Sequence, residues 1–199
     1  MTRSRVTPRR RLRALPPVTA TLTAMTAALI LAGCTATGGG MTPEEQLRAR
    51  PTFEQATAGY VTMLTEMRAA LMPLSPDLRW KNPAPIIDGQ GLCSAPFTKV
   101  PGAASIDYSN DALGRIPEDR WPDALQEITT IAARYRFGAP QTLSVPAAST
   151  PGALPRHVVY FHDPWGGNLS FMTEVNTILR VSSPCLRHED GHDHTITKG

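Results

Sequence analysis

His188-Glu189-Asp190-Gly191-His192 spells the H-E-x-x-H pattern of zinc proteases. On a helix, two histidines four residues apart face the same way and share a metal, while the Glu between them activates metal-bound water. The surroundings argue against that chemistry. Gly191 interrupts the motif, no apolar face flanks it, and only seven residues follow His192. Residues 188–199 read instead as a solvated His-rich tail, with His188, His192 and His194 as weak candidate ligands for a divalent metal. A second reactive pair, His162-Asp163, could do acid–base work in a hydrolase. An Asp directly before Pro164 is more often a turn residue.

The three cysteines carry a different chemistry. Leu31-Ala32-Gly33-Cys34 follows six arginines (Arg3, Arg5, Arg9, Arg10, Arg11 and Arg13) and an uncharged run from Ala14 to Leu31. A positive head, a short apolar stretch and small residues at a cleavage point are the parts of a secretory signal. The apolar run barely reaches the roughly 18–20 residues of a membrane span, and Pro16 and Pro17 weaken it as a helix. The order therefore reads as a lipoprotein signal: residues 1–33 cleaved, and Cys34 lipidated on its sulfur. Arg9-Arg10-Arg11-Leu12-Arg13 leaves the twin-arginine route open beside general secretion. Cys93 and Cys185 then remain in an oxidising compartment, where two cysteines have a single internal pairing. A reactive thiol is the rival reading, but no His stands at nucleophile spacing.

Charge supports the split. The whole chain carries 20 Lys+Arg against 17 Asp+Glu, a balance of +3. Removing the six arginines of the head leaves 14 basic residues against 17 acidic ones, a balance of −3. The basic character belongs to the leader, so nucleic acid is not an expected partner. No G-x-S-x-G elbow, phosphate-cradling glycine loop or C-x-x-C is present to point to another enzyme class.

The elements that position these residues follow from local pattern. Residues 34–51, with Gly38-Gly39-Gly40 among them, read as a flexible tether reaching on the order of 20–25 Å. Thr52-Phe53-Glu54-Gln55 is a capping box, and Phe53, Ala56, Tyr60, Met63, Leu64, Met67 and Leu71 make one apolar helical face that Pro73 ends. Leu74 to Pro101 contains too many prolines for one regular element, with a short strand around Trp80. Ser105–Ser109 alternates like a strand, and Asn110-Asp111 with Gly114 mark a turn. A second helix spans Pro122–Phe137, with Leu125, Ile128, Ala132 and Tyr135 inward and Gly138 at the C-terminal cap. After a possible strand at Gln141–Val145, Val158–His162 and Leu169–Thr173 form a hairpin around Asp163-Pro164-Trp165-Gly166-Gly167-Asn168, and Asn176–Ser182 adds a third strand. Trp165, at the turn where packing is scarcest, is the candidate partner contact. The expected fold is an α+β domain at 52–187, an antiparallel sheet covered on one face by two main helices.

Gly167–Leu179, the following Cys185, Cys93 with Pro96-Phe97, and Trp121 ahead of the second helix resemble the LppA/LppV-like lipoproteins of actinobacteria. Pro184 stands where Gly is expected, and the His-rich tail is extra. The resemblance implies a membrane-anchored envelope protein with paired cysteines and supplies no catalytic residues. Lipoproteins of this kind carry a diacylglyceryl group and often a third, amide-linked chain, which would be the covalent lipid on Cys34. No other cofactor is expected. The reading is of a non-catalytic, extracytoplasmic binding or surface protein, held to the cell membrane by lipid and meeting an envelope protein or small ligand. The rival is an envelope hydrolase or metal binder using His162 and Asp163 or the tail.

Overall fold

The structure is a computed structural model that describes residues 40–143 and 156–192. Two threonines start its first two helices in the same way. Thr42 caps α1 (Pro43–Arg48) and Thr52 caps α2 (Phe53–Leu74); in each, the hydroxyl accepts from the third amide while Glu45 or Gln55 reaches back to the cap. Helix α1 corrects the expectation of a tether running to residue 51. Leu47 is buried and Arg187 lies 3.9 Å from Glu44, so tertiary contact supports a helix of six residues, too short to persist alone. Pro73 lies inside the last turn of α2, which closes at Ser75 through its N–H to the Leu71 carbonyl.

Eight strands form one antiparallel sheet: β1 (Arg79–Trp80), β2 (Ile86–Leu92), β3 (Ala103–Leu113), β4 (Gln141–Leu143), β5 (His157–His162), β6 (Asn168–Thr173), β7 (Asn176–Ser182) and β8 (Leu186–Arg187). The path runs β1-β3-β7-β6-β5-β4, with β2 and β8 also paired to β3. The expected hairpin is β5–β6, and β7 is the third strand with the expected bounds. β3 is longer than its pattern suggests. It runs through Asn110 and Asp111 because β7 pairs with it as far as Leu113, and the chain turns only at Gly114, whose φ of 95° favours glycine.

β2 is the element the proline count hid. Between Pro85 and Pro96 the chain has room for seven strand residues, which β3 holds in register apart from a bulge between Ile87 and Gly89. On the helix-facing side, Ile106, Tyr108 and Ala112 of β3 join Leu179 and Val181 of β7, Leu169 and Phe171 of β6, and Val159 and Phe161 of β5. Helix α2 adds Tyr60, Met63, Leu64, Met67 and Leu71; α3 (Trp121–Arg134) adds Ala124, Ile128, Ile131 and Ala132. The methionines are therefore core, and the fold is α+β with its helices over one face of the sheet.

The end of α3 differs from expectation. Phe137 N–H bonds back to Ala132 O and Arg136 N–H to Ala133 O, the paired bonds of a Schellman motif. Arg136 takes the left-handed position, at φ 67°, while Gly138 donates its N–H to His162 O. His157 at the start of β5 stacks on Trp121, which in turn stacks on Phe171, joining the start of α3 to the sheet.

Candidate functional site

The chemistry-bearing residues fall into three groups. The first is the bond between Cys93, just after β2, and Cys185, just before β8, whose Cα atoms are 5.6 Å apart. It joins segments on opposite sides of β3 and closes 92 residues of chain. Arg50 donates to the Cys185 carbonyl at 2.8 Å and lies over the Phe97 ring, so one cation holds both arms of the bridge. Burial lowers the Arg50 pKa, and the nearby Asp163 carboxylate partly offsets that fall. These cysteines act as structural partners and not as nucleophiles.

The second group is the β5–β6 turn. His162 is exposed while Asp163 is buried, so the two point to different surroundings. One carboxylate oxygen of Asp163 accepts from the Trp165 N–H at 2.8 Å and the Gly167 N–H at 2.7 Å. A Cβ at Gly167 would collide with that carboxylate, which explains the glycine. Asp163 is thus committed to shaping the turn, as an Asp before proline often is, and no acid–base dyad with His162 is formed. Trp165 is half-buried, with the Arg136 guanidinium 5.6 Å from its ring centre.

The third group takes His188 out of the expected solvated tail, of which residues 193–199 lie outside the described residues. His188 is 5 % exposed, its ring 4.2 Å from the Phe53 ring centre and its Nδ1 2.7 Å from Glu54 Oε1. With a carboxylate as acceptor, Nδ1 carries the proton. Glu189 N–H donates to the other Glu54 oxygen at 3.1 Å. Burial raises the Glu54 pKa, but hydrogen bonds from His188 and from the Glu54 and Glu189 amides outweigh it and hold the carboxyl below its ordinary value. The H-E-x-x-H residues lie on a turn closed by the Gly191 N–H to His188 O, with Gly191 at φ 70°. They therefore lack the helical face a zinc protease needs. Among the described residues no group of three or more His, Cys, Asp or Glu could hold a metal; Cys34 and His194 lie outside the described residues.

Beside His188 is a shallow hollow of about 370 Å³, lined by Phe53, Glu54, Thr57, Ala58 and His188. Sequence reasoning missed it, because Glu54 and Thr57 look like the outer face of α2 until β8 brings His188 across. The only local signal was the histidine so near the end of the β-rich region.

The chain is similar to the crystal structure of the putative lipoprotein LppA from Mycobacterium tuberculosis, with 12 % identity and a TM-score of 0.56, over 75 % of this chain and 86 % of that one. It is also similar to a DUF4853 family protein from Actinomyces odontolyticus, at 13 % identity and a TM-score of 0.47, over 76 % of this chain and 80 % of that one. No curated protein matches the chain. The LppA family, described as a lipoprotein confined to pathogenic Mycobacterium, matches residues 36–189, a span that takes in α1, the disulfide and His188. The chain belongs to the LppA family of lipoproteins.

Proposed function

We propose that this protein is a lipid-anchored envelope lipoprotein, held through Cys34 to the extracytoplasmic face of the cell membrane, whose α+β domain binds a partner and does not catalyse a reaction. One observation carries the reading: four of the groups that looked reactive in the sequence are engaged in holding the fold. Cys93 and Cys185 bond to each other, Asp163 caps its own turn, and His188 sits between Phe53 and Glu54. Membership of a lipoprotein family supports the anchor.

Two surfaces suit binding. Trp165 offers a half-open ring backed by Arg136, and the hollow at Phe53 and Ala58 has the volume of a small-ligand site. Labelling cells with an alkyne-bearing fatty acid tests the anchor. Wild-type protein is expected to take up the label and fractionate with membranes, and Cys34→Ser protein to lose both properties. A Cys34→Ser protein that keeps its label would overturn the lipid attachment.

A further inference from the structure

One end of the sheet, where α1 packs against β8, carries the most exposed large apolar side chain of the described residues. β2 finishes there at Leu92, opposite Ala104. β8 pairs there with Ala103 and Ala104, and α1 lies against β8. Leu92 is 96 % exposed, the largest exposure among the described apolar residues, and Met41 is 54 % exposed. Between β2 and β3 runs the loop Ser94-Ala95-Pro96-Phe97-Thr98-Lys99-Val100-Pro101. It carries one charge, a lysine, no acidic residue, and five apolar side chains.

That loop is pinned at its start and at its middle. Cys93 bonds to Cys185 and Phe97 lies under Arg50. Two of its amides bond within it, Phe97 N–H to Ser94 O and Val100 N–H to Phe97 O, and Ala103 N–H at the start of β3 bonds back to Val100 O. A loop that turns on itself twice, with Ala95, Pro96 and Pro101 exposed and a single long cation, suits the boundary between water and lipid. Backbone groups there cannot all rely on water, and a lysine can extend its ammonium back to the headgroups. The β5–β6 turn, with Trp165, lies at this same end, since Gly167 abuts Pro184 just ahead of Cys185. An aromatic ring with a polar edge is the residue type favoured at that boundary.

The length of chain supplies the occupant. Thr42 is already the cap of α1, so six residues separate Cys34 from Met41, seven steps along the chain with a reach of at most about 25 Å when fully extended. We propose that the loop 94–101, together with Leu92 at its foot, is the surface on which the domain rests against the bilayer that holds its lipid. The inference depends on the lipid anchor at Cys34. It adds an orientation: the β6–β7 turn, at the far end of β3, points away from the membrane.

The test places a tryptophan reporter at either end of the sheet in the lipidated mature protein. Leu92→Trp and Thr98→Trp sit on the proposed surface; Val175→Trp, 65 % exposed beside the strand residue opposite Leu113, is the distal control. All three sites are exposed, so none disturbs the core. Each protein is bound to phosphatidylglycerol–phosphatidylcholine vesicles with and without brominated acyl chains, and the wild-type signal from Trp80, Trp121 and Trp165 is subtracted. The added tryptophan at 92 and 98 is expected to lose about half its emission or more in brominated vesicles, and that at 175 to keep it, since the two ends are about 30 Å apart along β3. Protein that binds vesicles yet shows equal emission at all three positions overturns the resting surface alone. Lipidated protein that fails to sediment with vesicles overturns the anchor, and the orientation with it.

Discussion

Arg136 shows how one side chain can carry two opposed effects. Its backbone occupies the left-handed position that ends α3, where a Cβ costs energy, while its guanidinium lies over the Trp165 ring. Replacing it with Ala and with Gly separates them, because both variants lose the cation–π contact and only Ala keeps the Cβ. Arg136→Gly is expected to be more stable than Arg136→Ala by about 1 kcal/mol in urea unfolding, net of the greater freedom Gly gives the unfolded chain. Equal midpoints would mean that the Schellman turn relaxes without strain. Sequence reading placed the cap two residues late, at Gly138, because glycine is the usual marker of that position. What decided otherwise is that Gly138 gives its N–H to His162 O at the end of β5, a contact across the fold that no local pattern reveals.

At the scale of elements, the join between α2 and the strand β8 determines where the domain ends. Glu54 stands in the first turn of α2, where a negative charge is favoured by the helix dipole, and His188 and Glu189 bind it from the far end of the chain. Its native pKa lies below its ordinary value of 4.5, so near that pH the unfolded chain binds more protons than the folded one. The stabilisation is therefore complete above the unfolded value and is lost as pH falls through the lowered native one. Comparing wild type with Glu54→Gln by chemical denaturation at several pH values is expected to show a gap at pH 6 that narrows as pH falls below the ordinary value of 4.5. A gap that persists in acid would mean the glutamine costs packing and not charge. The capping box at Thr52 was legible because its residues are neighbours in sequence. The partner of Glu54 was not, since it lies 134 residues away.

For the molecule as a whole, the Cys93–Cys185 bond ties β2 to β8 across β3 and restricts the unfolded chain over 92 residues. In the chain-entropy view a loop of that size contributes roughly 4–5 kcal/mol. Thermal unfolding of the Cys93→Ser, Cys185→Ser protein is expected to occur on the order of 10–20 °C below wild type. A drop of only a few degrees would show that α1, Arg50 and the sheet already hold this end closed. The cross-link also bears on the end of the domain proposed to rest on the bilayer, because the loop 94–101 follows directly on Cys93. Without the bond, that loop would hang from β2 and β3 alone.

The sequence by itself determined what depends on neighbours along the chain or on simple counting. The two capping boxes belong to that class, although only the one at Thr52 was read as a helix start. So do the apolar face of α2, the hairpin of β5 and β6 with β7 beside it, the pairing of the last two cysteines, and the resemblance to a lipoprotein family. Tertiary structure alone decided what depends on residues brought together from afar. It made α1 a helix, because burial of Leu47 compensates for its shortness, and extended β3 past a turn-like Asn-Asp pair, because β7 supplies hydrogen bonds there. It also took His188 out of an apparent zinc motif and set it against Phe53 and Glu54. A motif states which side chains could do chemistry. Whether they do is settled by the orientation and solvent exposure that only the packed chain imposes.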